Sequence, residues 1–477
     1  MKRQAIVLFL LSLGASSVLY SISPMQEAIY SGKVDRINSI IASTPDAVNA
    51  RDDMGWTPLM QAVSAGKPEI IKALVQNGAD VNAVEEKYGT TPLMLAAQNE
   101  NEVAADVLIG LGANIEARNK NGWTALDTAA QSGKLKVAEV LLSYKAQIDS
   151  LDKDGRTPLM FAAESGHADV ALLLLNNRAN IEAQDNLGWT PLMYAAVSGQ
   201  VETIELLLDH GADIEATNKL GSTSLIIAAA NSQPESVACL LKHGANVKAI
   251  NSKKDSAISW AVGLGNTEMI QAILPYKPDL NARYGQFDNT VLCIVARNRL
   301  DLVKLLVVAG ARVDGKDGIG ATPLSEAAMN GRNDIAAFLI ENGATIDSKD
   351  SYGVTPLIRA SIQGHADMVT LLLGKGANIE ARTDKGGTAL VNASLNGHTE
   401  VVQLLLEHGA QIDARTNEGK TALMLAALND HLEVVRLLIK CGASINLVDN
   451  EGQTALGHAR KHDNQEVISL LMDNAAK

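Results

Sequence analysis

Apolar positions along this chain fall into two short clusters followed by a polar stretch, and the triplet returns about every 33 residues. In one clear copy Leu159, Ala162 and Ala163 form the first cluster, closed by Gly166; Val170, Leu172, Leu173 and Leu174 form the second. The spacing of the first cluster places its apolar side chains on one face of a short helix, and the second reads as a helix of about nine residues. Polar segments such as Asp213–Gly221 follow, with a Gly for the bend, and suit a projecting hairpin or turn. A period this long means stacked two-helix units, none able to bury its apolar face alone.

The register is marked by a Thr-Pro-Leu step at Thr57, Thr91, Thr157, Thr190, Thr322 and Thr355. Softened versions stand at Thr124, Thr223, Ser256, Thr290, Thr388, Thr421 and Thr454, giving thirteen copies. The chemistry suits a helix start. A threonine hydroxyl accepts from a free amide of the first turn, and proline fits the first helical position, where its missing N–H costs nothing. The second helix ends at Gly-Ala pairs such as Gly211-Ala212 and Gly409-Ala410.

These residues resemble the ankyrin repeat, with its Thr-Pro-Leu-His step, Ala-Ala pair, Gly-His, leucine-rich run and closing Gly-Ala. Thr190–Ala196 and Gly397–Leu406 are close examples, and the resemblance runs from about Asp53 to the C-terminus. It implies an all-α solenoid of paired antiparallel helices with projecting hairpin or turn loops, about 13 repeats and an N-terminal capping unit. One departure recurs: the His of the step is Met at Met60, Met94, Met160, Met193 and Met424, and Asp127, Ser259, Cys293 or Ser325 elsewhere. The side-chain hydrogen bond of that position is then expected to be lost, with apolar packing in its place.

Aromatics are 3% and apolar residues 47% of the chain, which fits a thin aliphatic core. No Pro-, Gly- or Ser-rich linker divides it, so one array is expected instead of several globular domains. Its expected parts are a signal peptide over 1–17, a degenerate cap over 24–52, repeats over 53–251, irregular repeats over 252–320, and repeats over 321–477 with a polar end at Arg460–Asn464. The signal reading rests on Lys2 and Arg3, the apolar stretch Ala5–Leu13 and the small residues Ala15-Ser16-Ser17. An uncleaved anchor to about Ile22 is the weaker alternative, interrupted by Ser12, Ser16, Ser17 and Ser21. Cys239, Cys293 and Cys441 lack framework spacing and are expected to be small core residues, with a free thiol as the alternative. The short signal and missing disulfides favour a bacterial periplasm or secretion beyond it, without a later membrane span. A net charge of −13 makes nucleic acid an unsuitable partner.

Catalytic and cofactor signatures are missing from the sequence. Gly419-Lys420-Thr421 ends like a phosphate loop, but Ala414 stands where the first Gly belongs, so it reads as a turn plus a cap. His458 and His462 have a metal-compatible spacing without an evident third ligand, and read as a polar terminal helix face. His167, His365, His398, His210, His243 and His408 occupy repeat positions and recur for structural reasons. The expectation is therefore no enzyme, no cofactor and no metal.

Surface remains. The resemblance places partner contacts on the concave face, just after the Ala-Ala pair, and on the loop tips before Thr. Seven residues past Thr stand Met329, Ile362, Leu395 and Leu428, an apolar line spanning roughly 30 Å at ordinary helix spacings. Beside it run Asn330, Gln363, Asn396 and Asn429, an amide row suited to a peptide backbone; Ser64, Gln98, Gln131 and Glu164 hold the apolar line's position in earlier copies. This is either a groove for a partner segment or packing beside the inter-helix turn. Trp56, Trp123 and Trp189 share the place before Thr, with Tyr88, Leu187, Phe287 and Tyr352 two residues earlier in theirs; these are contact anchors or shields for neighbouring loops. From Ser252 to Gly320 the pattern loosens: Lys254 replaces a turn Gly and Pro275 interrupts a helix, by decay or as a change of curvature.

The favoured function is an exported, monomeric, non-enzymatic scaffold for a protein partner, away from the membrane once the signal is cleaved. The alternative is a metal- or small-ligand-binding protein, or a protective accessory to a periplasmic enzyme.

Overall fold

The structure is a computed structural model that describes residues 22–475. The signal peptide expected over 1–17 lies outside the described residues. Two compact units are distinguished, residues up to Asn246 and from Val247 onward, and each is described by itself. Regular structure among the described residues is helical: 28 α-helices, two 3-10 turns and one isolated bridge between Tyr284 and Asn289. Within each unit short helices alternate in pairs, first helix against second and each helix against its counterpart in the next copy.

Each first helix starts where the Thr step places it. The hydroxyls of Thr91, Thr190 and Thr421 accept from the amides of Met94, Met193 and Met424 at 3.2, 3.4 and 3.4 Å. In helix Pro158–Ser165, Leu159, Met160, Phe161, Ala162 and Ala163 are all buried, because this helix has neighbours on both sides and its partner behind. Its partner, Ala168–Asn176, buries Val170, Ala171 and Leu174, whereas Leu172 is 38% exposed. The four-leucine look of this segment overstates its core: a 3.6-residue period admits only one stripe. The expected Gly-Ala closure is a pair of backbone bonds, Ala212 N–H to Leu207 O and Gly211 N–H to Leu208 O, both 3.0 Å, with Gly211 at φ 89°.

The expected loss of the side-chain bond at the family's His position holds only in part. Met60, Met94, Met193 and Met424 are buried and pack as expected. Asp127 instead restores a polar cap, accepting from the Thr124 amide at 2.7 Å and hydroxyl at 2.8 Å. Ser259 accepts from the Ser256 amide at 2.8 Å, Ser325 and the Thr322 hydroxyl meet at 3.2 Å, and Cys293 Sγ reaches Gly315 O at 3.4 Å. Short polar side chains can turn back on the cap, and of the methionines Met160 does so weakly, its Sδ accepting from the Thr157 amide at 3.4 Å.

Three ladders join successive copies inside each unit. A side chain at the foot of one loop accepts the next copy's amide: Asp149 from Asn180 at 2.9 Å, Glu182 from Asp213 at 2.8 Å, Glu380 from Gln411 at 2.7 Å. Loop backbones pair directly, Lys219 N–H to Leu187 O at 3.0 Å and Asp384 N–H to Tyr352 O at 2.9 Å. On the far side of the first helices, His365, His398 and His431 donate from Nε2 to the carbonyls of Met329, Ile362 and Leu395 at 3.0, 2.8 and 3.0 Å. Gln200 and Gln233 make the same reach in other copies, and Arg299 donates to Gly265 O, two residues further on. The recurrent histidines are thus structural, as their spacing implies.

The stretch over 252–320 keeps part of these ladders, Arg312 N–H to Asn281 Oδ1 at 2.8 Å and Gly285 N–H to Lys254 O at 3.2 Å, while its helices shorten. Pro275 ends helix Thr267–Ile273 and a 3-10 turn Leu274–Tyr276 follows; the next first helix is only Val291–Val295. Lys254 takes φ 61°, the left-handed conformation that Gly occupies in equivalent loops. At the N-terminal end Ser23 and Gln26 cap helix Pro24–Ser31 reciprocally at 3.2 and 3.0 Å. At the other end Arg460–Asp463 are exposed, as a polar cap requires.

The histidine ladder sets a steric limit. A Cβ on Gly364 (φ 78°) would stand 2.5 Å from His398 Nδ1, whereas one on Gly409 (φ 84°) would meet nothing within 4 Å. Gly409→Ala should cost about 1 kcal/mol from backbone conformation alone, and Gly364→Ala roughly twice that or more as the ring is displaced. Thermal melts of the two variants check this; equal melting temperatures would show the ladder to be dispensable.

Candidate functional site

In the unit from Val247 onward, the side chains seven residues past Thr lie on the face of the first helices next to the loops. Met329 and Leu395 are 40% and 36% exposed, and Ile362 and Leu428 are half-buried. The copies are consecutive, so the four side chains form one interrupted apolar strip. The amides beside it are partly engaged. Asn330, Asn396 and Asn429 donate from Nδ2 to the carbonyls of Glu326, Asn392 and Leu425, four residues earlier, at 2.8, 2.8 and 3.0 Å. Each of these amides spends one of its two N–H donors closing its own helix, which leaves the other and the oxygen for a peptide backbone.

Sequence reasoning missed the polar links between loop and strip. The loop carboxylate five residues before Thr accepts two amides of its own loop, as Asp350 does from Tyr352 and Val354 at 2.8 and 2.9 Å. Its second oxygen meets the side chain nine residues on: Arg359 on Asp350 at 2.5 Å, Tyr194 on Asp185 at 2.7 Å, Gln61 on Asp52 at 2.8 Å, and His458 on Asp449 at 2.8 Å. Arg359 also reaches Met329 Sδ of the preceding copy at 3.5 Å, and Arg297 pairs with Glu326 at 2.8 Å. The readable signal was the nine-residue interval from a loop Asp to a long polar side chain.

In the unit ending at Asn246, Trp56, Trp123 and Trp189 are all half-buried. Trp123 meets Phe161 edge-on at 4.7 Å between ring centres, and its Nε1–H donates to Asp152 at 3.2 Å. Trp189 lies 5.4 Å from Tyr194. Arg156 lies 4.2 Å from the Phe161 ring centre and is held by Asp152 at 3.3 Å and Glu164 at 3.2 Å. Trp123 and Trp189 therefore have intramolecular partners that fix them between neighbouring loops, whichever outer surface they also present.

Asp127 lies beneath this cluster with its side chain fully buried and Oδ1 unpaired. Burial pushes its carboxyl up to about 7, against the Thr124 bonds and Arg118, which favour the anion; nearby Asp152 raises it further. An acid whose folded-state pKa is raised binds more protons folded than unfolded. Its favourable contribution is present below pH 4 and is lost as pH rises toward 7, on the order of 4 kcal/mol in all. Asp127→Asn should flatten that fall: melting temperatures at pH 5 and pH 8 should converge in the variant relative to the parent.

The chemical candidates resolve into structure. His458 is buried on Asp449 while His462 is exposed, and among the described residues no group of three or more His, Cys, Asp or Glu is placed to hold a metal ion. Lys420 pairs with Glu418 at 2.8 Å and Thr421 caps its helix, so Gly419-Lys420-Thr421 is the turn and cap that its sequence implies. Among the described residues no helix is long and apolar enough to cross a membrane. Cys239 and Cys293 are core residues as expected, but Cys441 is exposed at the end of helix Leu432–Lys440, where the side chain lies beyond the apolar stripe. Burial raises the two core thiols to about 11 and about 12. One equivalent of thiol per chain should react rapidly with Ellman's reagent at pH 8, and three in denaturant; Cys441→Ser should remove the rapid one.

Among curated proteins no relative matches the chain. A family model described as ankyrin repeats (3 copies) matches residues 2–85, 83–152, 144–218, 215–284, 291–383 and 379–449. With the paired helices, capped Thr steps and joined loops already described, that coverage places this chain in the ankyrin-repeat family.

Proposed function

We propose that this chain is an exported, non-enzymatic protein-binding scaffold that holds a segment of its partner on the first-helix face of residues 321–461. Ankyrin repeats are generally protein–protein interaction modules. The observation that carries the reading is the strip Met329, Ile362, Leu395 and Leu428, partly open to solvent in four consecutive copies. Equivalent positions in the first four copies are Ser64, Gln98, Gln131 and Glu164. Val197, Ala230, Gly263 and Arg297 hold the position in the next four copies, so a run of large apolar side chains there is confined to these four, and apolar side chains that stay accessible favour contact over packing. Loop tips in the same unit add Phe287, Ile319 and Tyr352, 70%, 43% and 63% exposed. Export rests on residues 2–17 of the sequence alone.

The reading is tested by capture from periplasmic and secreted fractions with the mature chain and with Met329, Ile362, Leu395 and Leu428 all changed to Ser, the partner then being purified and titrated. The variant should keep its circular dichroism spectrum and bind the purified partner at least tenfold more weakly, since anchors of this kind carry more than 1 kcal/mol each when buried at an interface. Undiminished binding by the folded variant would move the site off the strip.

A further inference from the structure

One column of the repeat is basic in five consecutive copies of one unit, between Ile250 and Val448 at the same position. At the residue opening each loop, in steps of 33, stand Arg283, Lys316, Lys349, Arg382 and Arg415. All five side chains are exposed, and among the described residues none forms an ion pair. The row is continuous in space. Arg283 Nε donates to Lys316 O at 3.2 Å, Lys316 Nζ to Lys349 O at 3.0 Å, Lys349 Nζ to Arg382 O at 3.0 Å, and Arg382 to Arg415 O at 2.6 Å. Each cation thus stands over the base of the next, one copy on, with further N–H donors left over. The same column in the other unit reads Arg51, Val84, Arg118, Leu151, Gln184 and Thr217. Charge follows the same division: residues 247–477 carry 23 Lys and Arg against 26 Asp and Glu, residues 1–246 only 18 against 28.

The acidic residues nearest in sequence do not neutralise the row. Asp317 and Asp350, which directly follow Lys316 and Lys349, are buried, and Asp350 is paired with Arg359; Asp314, Asp347, Glu380 and Asp413, two residues before the last four cations, are turned to the next copy's backbone, accepting from Thr345, Asn378, Gln411 and Ser444 at 2.7 to 3.0 Å. Three or four residues after the first three cations come the exposed tips Phe287, Ile319 and Tyr352.

Resting on the protein-binding reading above, we propose that this row receives an acidic segment of the partner in polyproline II conformation, with a carboxylate at every third residue and apolar residues between. The pitch decides the conformation. Neighbouring helices stand about 8 to 10 Å apart, which sets the step between cations. A polyproline II chain has three residues per turn and rises about 3.1 Å per residue, so residues i, i+3 and i+6 share one face at about 9 Å. A β-strand covers a similar length in three residues but turns alternate side chains to opposite faces, so a three-residue period could not stay on the row. The intervening apolar residues then reach the loop tips. Exposed ion pairs are individually weak and screened by salt, so the match is read from register and not from charge alone.

The test uses the full mature chain and two fluorescein-labelled 15-residue probes of one composition: (Glu-Pro-Leu)5, and an isomer with its five Glu in one block. Anisotropy titrations at low salt should give at least tenfold tighter binding of the periodic probe. Lys316→Glu with Lys349→Glu should lose at least tenfold, Lys316→Arg with Lys349→Arg should retain binding, and off-row Lys375→Glu with Lys440→Glu should leave it unchanged, all with unaltered circular dichroism. Equal affinity for the two isomers, or insensitivity to reversal on the row, overturns the proposal. So does tighter binding of a 15-residue oligothymidylate or of phosphatidylserine vesicles, either of which reassigns the row to phosphate groups. If the purified partner is lost by the four-Ser strip variant but kept by the row reversal, the scaffold reading stands and this inference fails.

Discussion

Each copy ends its first helix with carbonyls that it cannot satisfy itself, and the next copy supplies the donor. His398 over Gly364, donating to Ile362 O at 2.8 Å, is the clearest instance. The arrangement needs a left-handed, side-chain-free residue below the ring and a donor 36 residues after the acceptor. Where His is replaced, Gln200 or Gln233 reaches to the same place and Arg299 to a carbonyl two residues further on, that of Gly265, so a bond between copies and not one residue type is what the repeat maintains. A net hydrogen bond is worth about 0.5 to 1.5 kcal/mol, and because this one recurs from copy to copy the joins add to what the core supplies. The residues whose carbonyls are held this way, Met329, Ile362 and Leu395, are the ones whose side chains are offered outward. Their backbone is thereby fixed before any partner arrives, and little ordering entropy remains to oppose binding.

Helices, caps and pairing were readable because one local pattern repeats thirteen times, so each copy's register checks the others. What was not readable depends on contacts between copies. Leu172 looks like core in its own segment and is exposed because only one stripe of that helix meets the first helices. Cys441 looks like a small core residue and lies outside the stripe. The amides Asn330, Asn396 and Asn429 read as a docking row, but each lies at a helix end where a carbonyl four residues back takes one of its two donors. Sequence spacing identifies which residues share a face; it does not tell how many of their bonds are already used.

The same limit applied to the chemistry at the family's His position. Replacement by Asp at Asp127 puts a carboxyl where an imidazole would be, beneath Trp123 and within the field of Asp152. Thr124 satisfies one oxygen twice over and leaves the other without a donor. Its neighbour copies place methionine at that point: Met94 is buried as packing, and Met160 Sδ accepts from the Thr157 amide at 3.4 Å. This copy thus carries a proton-dependent term that follows first from burial, with the charge of Asp152 adding to it.

Divergence between the units points in one direction. A repeat array must preserve the residues that join its copies, while the outward positions of each loop and helix are free to drift singly. Independent drift would scatter apolar and basic residues over all copies. Instead the apolar strip occupies four consecutive copies and the basic column five, in the same unit and overlapping at Lys316, Lys349, Arg382 and Arg415. Two outward columns, set apart on the repeat yet joined through Arg359 between loop carboxylate Asp350 and strip residue Met329, share one span. A ligand that touches both must be elongated, since the columns extend along the stack and not across it, and it must carry negative charge on one side and apolar groups on the other.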